Sequence, residues 1–90
     1  MSLQTLRKQV DRIDAQIVRL LHRRARLALQ IGRVKRQRRR PVYDARREAL
    51  VLRHVTTMDH GPLSARAVQR IFHAVLRECR HRQRIRRKNH

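Results

Sequence analysis

Ninety residues carry 25 Lys and Arg against 6 Asp and Glu, a formal net charge of +19 at pH 7. A chain of this length makes one domain with a small core, and such a charge opposes compaction at low salt while attracting anions. One cysteine, no tryptophan and only two other aromatic residues, Tyr43 and Phe72, exclude an internal disulfide, a cysteine-based metal site and a base-stacking platform. No apolar run approaches membrane-spanning length and the N-terminus has no signal-like apolar core, so a soluble, cytoplasmic protein without membrane contact is expected.

The strongest pattern opens the chain. Leu3, Leu6, Val10, Ile13, Ile17, Leu20, Arg24, Leu27, Ile31 and Val34 fall at strict heptad spacing, and Arg24 is the one polar member. The period predicts a helix over about 3–38, roughly 50 Å long at about 1.5 Å per residue. A globule of this size is only about 25–30 Å across. The seam therefore needs a partner beyond its own chain, and a homodimer is the economical arrangement.

Arg36 to Arg40 lead into Pro41, which pushes the preceding residue out of helix and predicts a loop over about 39–43. Asp44 suits the N-cap of a second helix over about 45–58, with Leu50, Val51, Leu52, Val55 and Met58 on its apolar positions. His60-Gly61-Pro62 ends it, Gly61 being suited to the C-terminal turn. Ser64 caps a third helix over about 65–85, whose inner face reads Val68, Ile71, Phe72, Val75, Leu76 and Cys79. A basic tail, 86–90, is expected to fray. The fold class is all-α, with three helices in a single domain over residues 1–90.

Several polar residues stand where apolar ones belong. An unpaired buried guanidinium is strongly unfavourable, so Arg24 marks either an opening in the seam or a place where an anion is met. Lys35 lies eleven residues further on and points within about 20° of Arg24. Ala28 and Gly32 share that face, making a hollow with positive ends. Asp44 and Glu48 share a face of the second helix beside Arg47, and Glu48 points inward with Leu52 and Val55. Gln83 follows Cys79 at i, i+4 and closes the third helix's apolar stripe with a neutral donor. Singly, each has an ordinary reading: Asp44 a cap, Arg47 a surface cation, Cys79 a small buried hydrophobe, Gln83 the edge of the core. Three inward charges, Arg24, Lys35 and Glu48, in so small a core are not an ordinary set. The six histidines show no metal-ligand spacing, and neither a metal nor a cofactor is expected.

The motifs Leu6-Arg7, Ile13-Asp14, Arg23-Arg24 with Ala28, Ile31-Gly32-Arg33-Val34-Lys35, Pro41-Val42-Tyr43-Asp44, Arg47-Glu48 and Ile71-Phe72 leading to Cys79 and Gln83 resemble the all-helical AroQ class of chorismate mutases. The resemblance covers about residues 3–85. It implies an intertwined three-helix homodimer that converts chorismate to prephenate in phenylalanine and tyrosine biosynthesis. Carried over residue by residue, it implies that Arg24, Arg47 and the partner subunit's Arg7 hold the two substrate carboxylates. Lys35 and Gln83 would donate to the ether oxygen. Glu48, with Lys35 nearby, would hold the ring hydroxyl, and Asp44 would act at the same edge. Cys79 stands where the family usually has serine, at a carboxylate-contacting position, and a thiol is the weaker donor.

Other readings compete. A basic helical nucleic-acid binder accounts for the Arg36–Arg40 run and the arginine-rich stretch Arg80 to Lys88, and nonspecific, salt-sensitive binding is expected from charge alone. Against it as the main function, no reading motif is present. An isochorismate-pyruvate lyase of the same fold is disfavoured by the acidic residue at Glu48. A purely structural dimerisation module would not need Arg24 on its seam. The length leaves no room for a dehydratase, dehydrogenase or amino-acid-sensing domain, so a monofunctional enzyme without feedback by Phe or Tyr is expected.

Overall fold

The computed structural model describes residues 2–58 and 61–88, with 84–88 as backbone alone. Three helices, α1 (Leu3–Gln37), α2 (Ala45–Thr56) and α3 (Ala65–Lys88), make an all-α chain among the described residues. α3 is the hub, packed against both α1 and α2. Each helix begins on a side-chain cap. Asp44 accepts from the Arg47 N–H at 3.0 Å and Ser64 from the Ala67 N–H at 3.0 Å, both as the sequence predicts. Ser2 does the same for Thr5 at 3.1 Å, a cap the heptad pattern does not announce.

The helix ends depart from expectation in instructive ways. α1 stops at Gln37 because Arg39 turns left-handed, with φ 56°. The Arg39 N–H then reaches the Arg36 carbonyl at 3.0 Å and the Arg40 N–H the Lys35 carbonyl at 2.7 Å. This is the Schellman arrangement, with arginine in the place glycine usually takes. α2 ends at Thr56 rather than near 58. The Thr56 hydroxyl bonds back to the carbonyls of Leu52 and Arg53, and the Thr57 hydroxyl to that of His54, while the chain tightens into i→i+3 bonds. Gly61 takes no left-handed turn, so the expected glycine cap is not what ends α2. Asp59 and His60 lie outside the described residues. α3 runs on to Lys88, past the expected end near 85, since no Pro or Gly follows Ser64 and its last residues are good helix formers. The expected tail is thus helical through 88, and Asn89 and His90 lie outside the described residues.

The core is small and sits where α3 meets its two neighbours. Gly32, Val55, Leu76 and Gln83 are its buried residues among those described. Leu50, Met58 and Ile71, expected inside, are about half exposed because they face away from the helix–helix contacts of the single chain. Every residue from Ser2 to Arg23 is exposed. Along that half the apolar seam is bare, with Leu3 at 64%, Ile13 at 53% and Leu20 at 61% exposure. The radius of gyration is 16.3 Å, against about 12 Å for a compact chain of this length. The accessible surface is 8148 Å², where a compact monomer of this mass would show about 5,600 Å².

Candidate active site

A cavity of about 270 Å³ opens between the C-terminal half of α1, the start of α2 and α3. Arg24, Lys35, Asp44, Arg47, Glu48, Cys79 and Gln83 all line it. These are seven of the eight residues singled out from the sequence. The eighth, Arg7, sits seventeen residues before Arg24 on the same rigid helix, which puts it about 25 Å away along the axis. It does not line the cavity of its own chain.

Helix geometry and loop chemistry set each donor. The Lys35 carbonyl is tied into the turn that ends α1, and its ammonium donates to the Val42 carbonyl at 3.3 Å and pairs with Asp44 at 3.7 Å. An ammonium has three donors, so one N–H is left for the cavity. The Arg47 N–H bonded to Asp44 holds that carboxyl below its ordinary value of 3.8, and the Lys35 charge acts in the same direction. The ionised cap therefore favours the folded state above the unfolded carboxyl's pKa, and that contribution is lost as pH falls through the lowered native value.

Gln83 Nε2 donates to the Ala28 carbonyl at 2.5 Å. A carbonyl only accepts, so this bond fixes which end of the amide faces α1 and leaves one N–H uncommitted. The hollow at Ala28 and Gly32 is thus filled from α3. A Cβ at Gly32 would stand 3.5 Å from the Gln83 side chain and 3.4 Å from Arg36 Nη1. Opposite, Arg24 Nη1 donates to Cys79 Sγ at 3.4 Å and makes no ion pair among the described residues. Sulfur is a weak acceptor. A carboxylate entering the cavity would offer Arg24 a shorter, charge-assisted bond at about 2.7–2.9 Å.

A sequence profile of chorismate mutase type II matches residues 6–84. The chain belongs to the type II chorismate mutase family. It is 42% identical over 73 residues to the bifunctional chorismate mutase/prephenate dehydratase of Neisseria gonorrhoeae, covering 81% of this chain and 20% of that protein. It is 37% identical over 82 residues to the corresponding protein of Pseudomonas aeruginosa, covering 86% of this chain and 22% of that one. The chain spans about a fifth of the length of these curated relatives. Among solved structures, chorismate mutase from Thermus thermophilus (form II) superposes with a TM-score of 0.83 at 35% identity, covering 86% of this chain and 88% of that one.

Within this family member, one cavity residue escapes a reading of the sequence. Arg80 belongs by composition to the arginine-rich stretch of the third helix, yet it lines the cavity. Its Nη1 donates to both carboxylate oxygens of Glu48 at 2.7 Å, and its guanidinium lies 4.8 Å from the centre of the Tyr43 ring. Glu48 points inward as expected, but it meets an arginine there. The cavity then holds four cations, Arg24, Lys35, Arg47 and Arg80, against two carboxylates, an excess of two positive charges. Among the described residues, no helix is long and apolar enough to cross a membrane.

Proposed function

We propose that the chain catalyses the rearrangement of chorismate to prephenate, as a homodimer in which Arg7 of each subunit completes the other's cavity. The observation that carries this reading is the convergence of Arg24, Arg47, Lys35 and Gln83 on one small cavity with two surplus positive charges. The substrate is a dicarboxylate, and a surplus of positive charge, to which the partner subunit's Arg7 would add one, suits it.

The reaction is a unimolecular pericyclic rearrangement that needs no nucleophile. What it needs is a folded conformer, and arginine forks pin carboxylates with defined geometry. Arg24 exchanges its thiol partner for one carboxylate, and Arg47 with the partner subunit's Arg7 takes the other. As the C–O bond breaks, negative charge grows on the ether oxygen. The spare N–H of Lys35 and the spare N–H of Gln83, both already oriented by bonds to backbone carbonyls, stabilise that charge more than the ground state. Glu48 and Asp44 lie at the edge that would receive the ring hydroxyl.

The bare α1 seam supports the dimer. The surface in excess of a compact monomer is about 2,500 Å², of the order that obligate dimers bury. A large apolar face is otherwise exposed to water.

The deciding experiment follows loss of chorismate absorbance with prephenate identified as product, alongside an incubation with isochorismate assayed for pyruvate. Prephenate from chorismate without pyruvate release supports the mutase. Pyruvate from isochorismate as the dominant activity would transfer the cavity to the lyase branch of the fold, and neither product would overturn the reading.

A further inference from the structure

The Arg80–Glu48 pair is a device the catalytic reading does not use. We infer that Arg80 is a positioning residue: it holds the Glu48 carboxylate toward α3, so that the one N–H of Lys35 not taken by Val42 and Asp44 stays available to the substrate. This rests on the function proposed above and adds a residue to it.

Three observations point the same way. One Nη1 reaches both oxygens of Glu48, and the two side chains are only 29% and 24% exposed, so the pair is shielded from full solvent screening. Arg80 is itself anchored over the Tyr43 ring, a cation–π contact from the loop that also places Val42 against Lys35. Glu48 shares the cavity with three further cations, Arg24, Lys35 and Arg47, yet among the described residues its ion-pair partner is Arg80. A carboxylate has about four acceptor sites. Arg80 takes two, which leaves Glu48 able to receive a hydroxyl while fixed in place.

Without Arg80 the carboxylate is free to turn to another cation of the cavity, Lys35 among them. Pairing with Lys35 would quench the donor that meets developing charge in the transition state, a loss felt in kcat rather than in KM. Removing the carboxylate removes that hazard. Arg80 therefore matters only while Glu48 is charged.

The test is a double-substitution cycle of Arg80→Met and Glu48→Gln, with kcat and KM for chorismate and thermal unfolding measured for each variant. Arg80→Met is expected to lower kcat about tenfold, the size of losing a charge-assisted bond, with KM within about twofold of the parent. Arg80→Lys restores a cation and is expected to recover most of that loss. In the Glu48→Gln background, Arg80→Met should change kcat by less than about twofold. Equal losses in both backgrounds, or a kcat loss that follows the unfolding temperature and is not rescued by lysine, would overturn the inference while the mutase reading stands. If Arg80→Met does not fold, Arg80→Gln takes its place in the same cycle with the same two outcomes. An unsubstituted chain that makes no prephenate overturns both.

Discussion

The two halves of α1 share one heptad seam and have opposite surroundings. From Arg24 onward the helix leans on α3, contributes Arg24, Ala28 and Lys35 to the cavity, and buries Gly32 against Gln83. Before Arg24 every side chain from Ser2 is exposed, although the apolar spacing is as regular. Periodicity thus marks a face suited to burial, and says nothing about whether the same chain covers it. The change of role falls at the one polar seam position, where a guanidinium faces a sulfur it binds only weakly.

The largest effect should come from the packed half. Lys35→Ala is expected to reduce kcat by about 10²–10³, the usual loss for one donor to a developing oxyanion, with α-helical circular dichroism retained. An unchanged turnover would remove Lys35 from the mechanism and break the contrast at its functional end. In the bare half, Ile17→Ala should weaken dimer association by about 2–4 kcal/mol if Ile17 is buried by a partner. Sedimentation equilibrium at low and high salt would measure this. Salt should tighten the parent dimer by screening two chains of like charge. An effect within a few tenths of a kcal/mol would mean that the seam is not the interface.

A third experiment joins the halves. Arg7→Ala should raise KM about tenfold with kcat largely kept, as for removal of a binding contact. Mixed and re-equilibrated with Lys35→Ala chains in equal amounts, it should restore about a quarter of parental activity at low substrate, because half of the dimers are then mixed and each has one intact site. Activity no higher than the average of the two variants alone would show that Arg7 and Lys35 do not serve a shared cavity. The smallest effect concerns the turn that anchors Lys35. Arg39→Gly should relieve the left-handed backbone at φ 56°, raising stability by about 0.5–1 kcal/mol with turnover unchanged. A lower unfolding temperature would mean that the arginine side chain contributes more than its backbone loses.

What the sequence makes legible, and what it hides, divides by the range of the interaction. The three helices and the caps at Asp44 and Ser64 are legible because periodicity and capping are local properties. The cavity residues on α1 and α2 stand out as polar interruptions of apolar faces. Arg80 carries no such mark, being one arginine in a run of them, and its partner Glu48 is 32 positions away. The acceptor of Gln83 is a backbone carbonyl, which every residue has. The left-handed Arg39 is hidden by a general expectation that glycine occupies such sites. The end of α2 falls earlier than expected for a similar reason: two threonines in succession close it by bonding back to the preceding turn before the glycine and proline can act.

The uncovered first half of α1 has a practical consequence for anyone weighing catalytic efficiency in this chain. If each cavity borrows Arg7 from a neighbour, specific activity becomes a function of how much enzyme is in the cuvette. Dilution below the dissociation constant would then empty the sites of one arginine, and a plot of rate against enzyme concentration would curve upward at its foot. Ionic strength would move that curve, so two laboratories using different buffers could report different constants for the same chemistry.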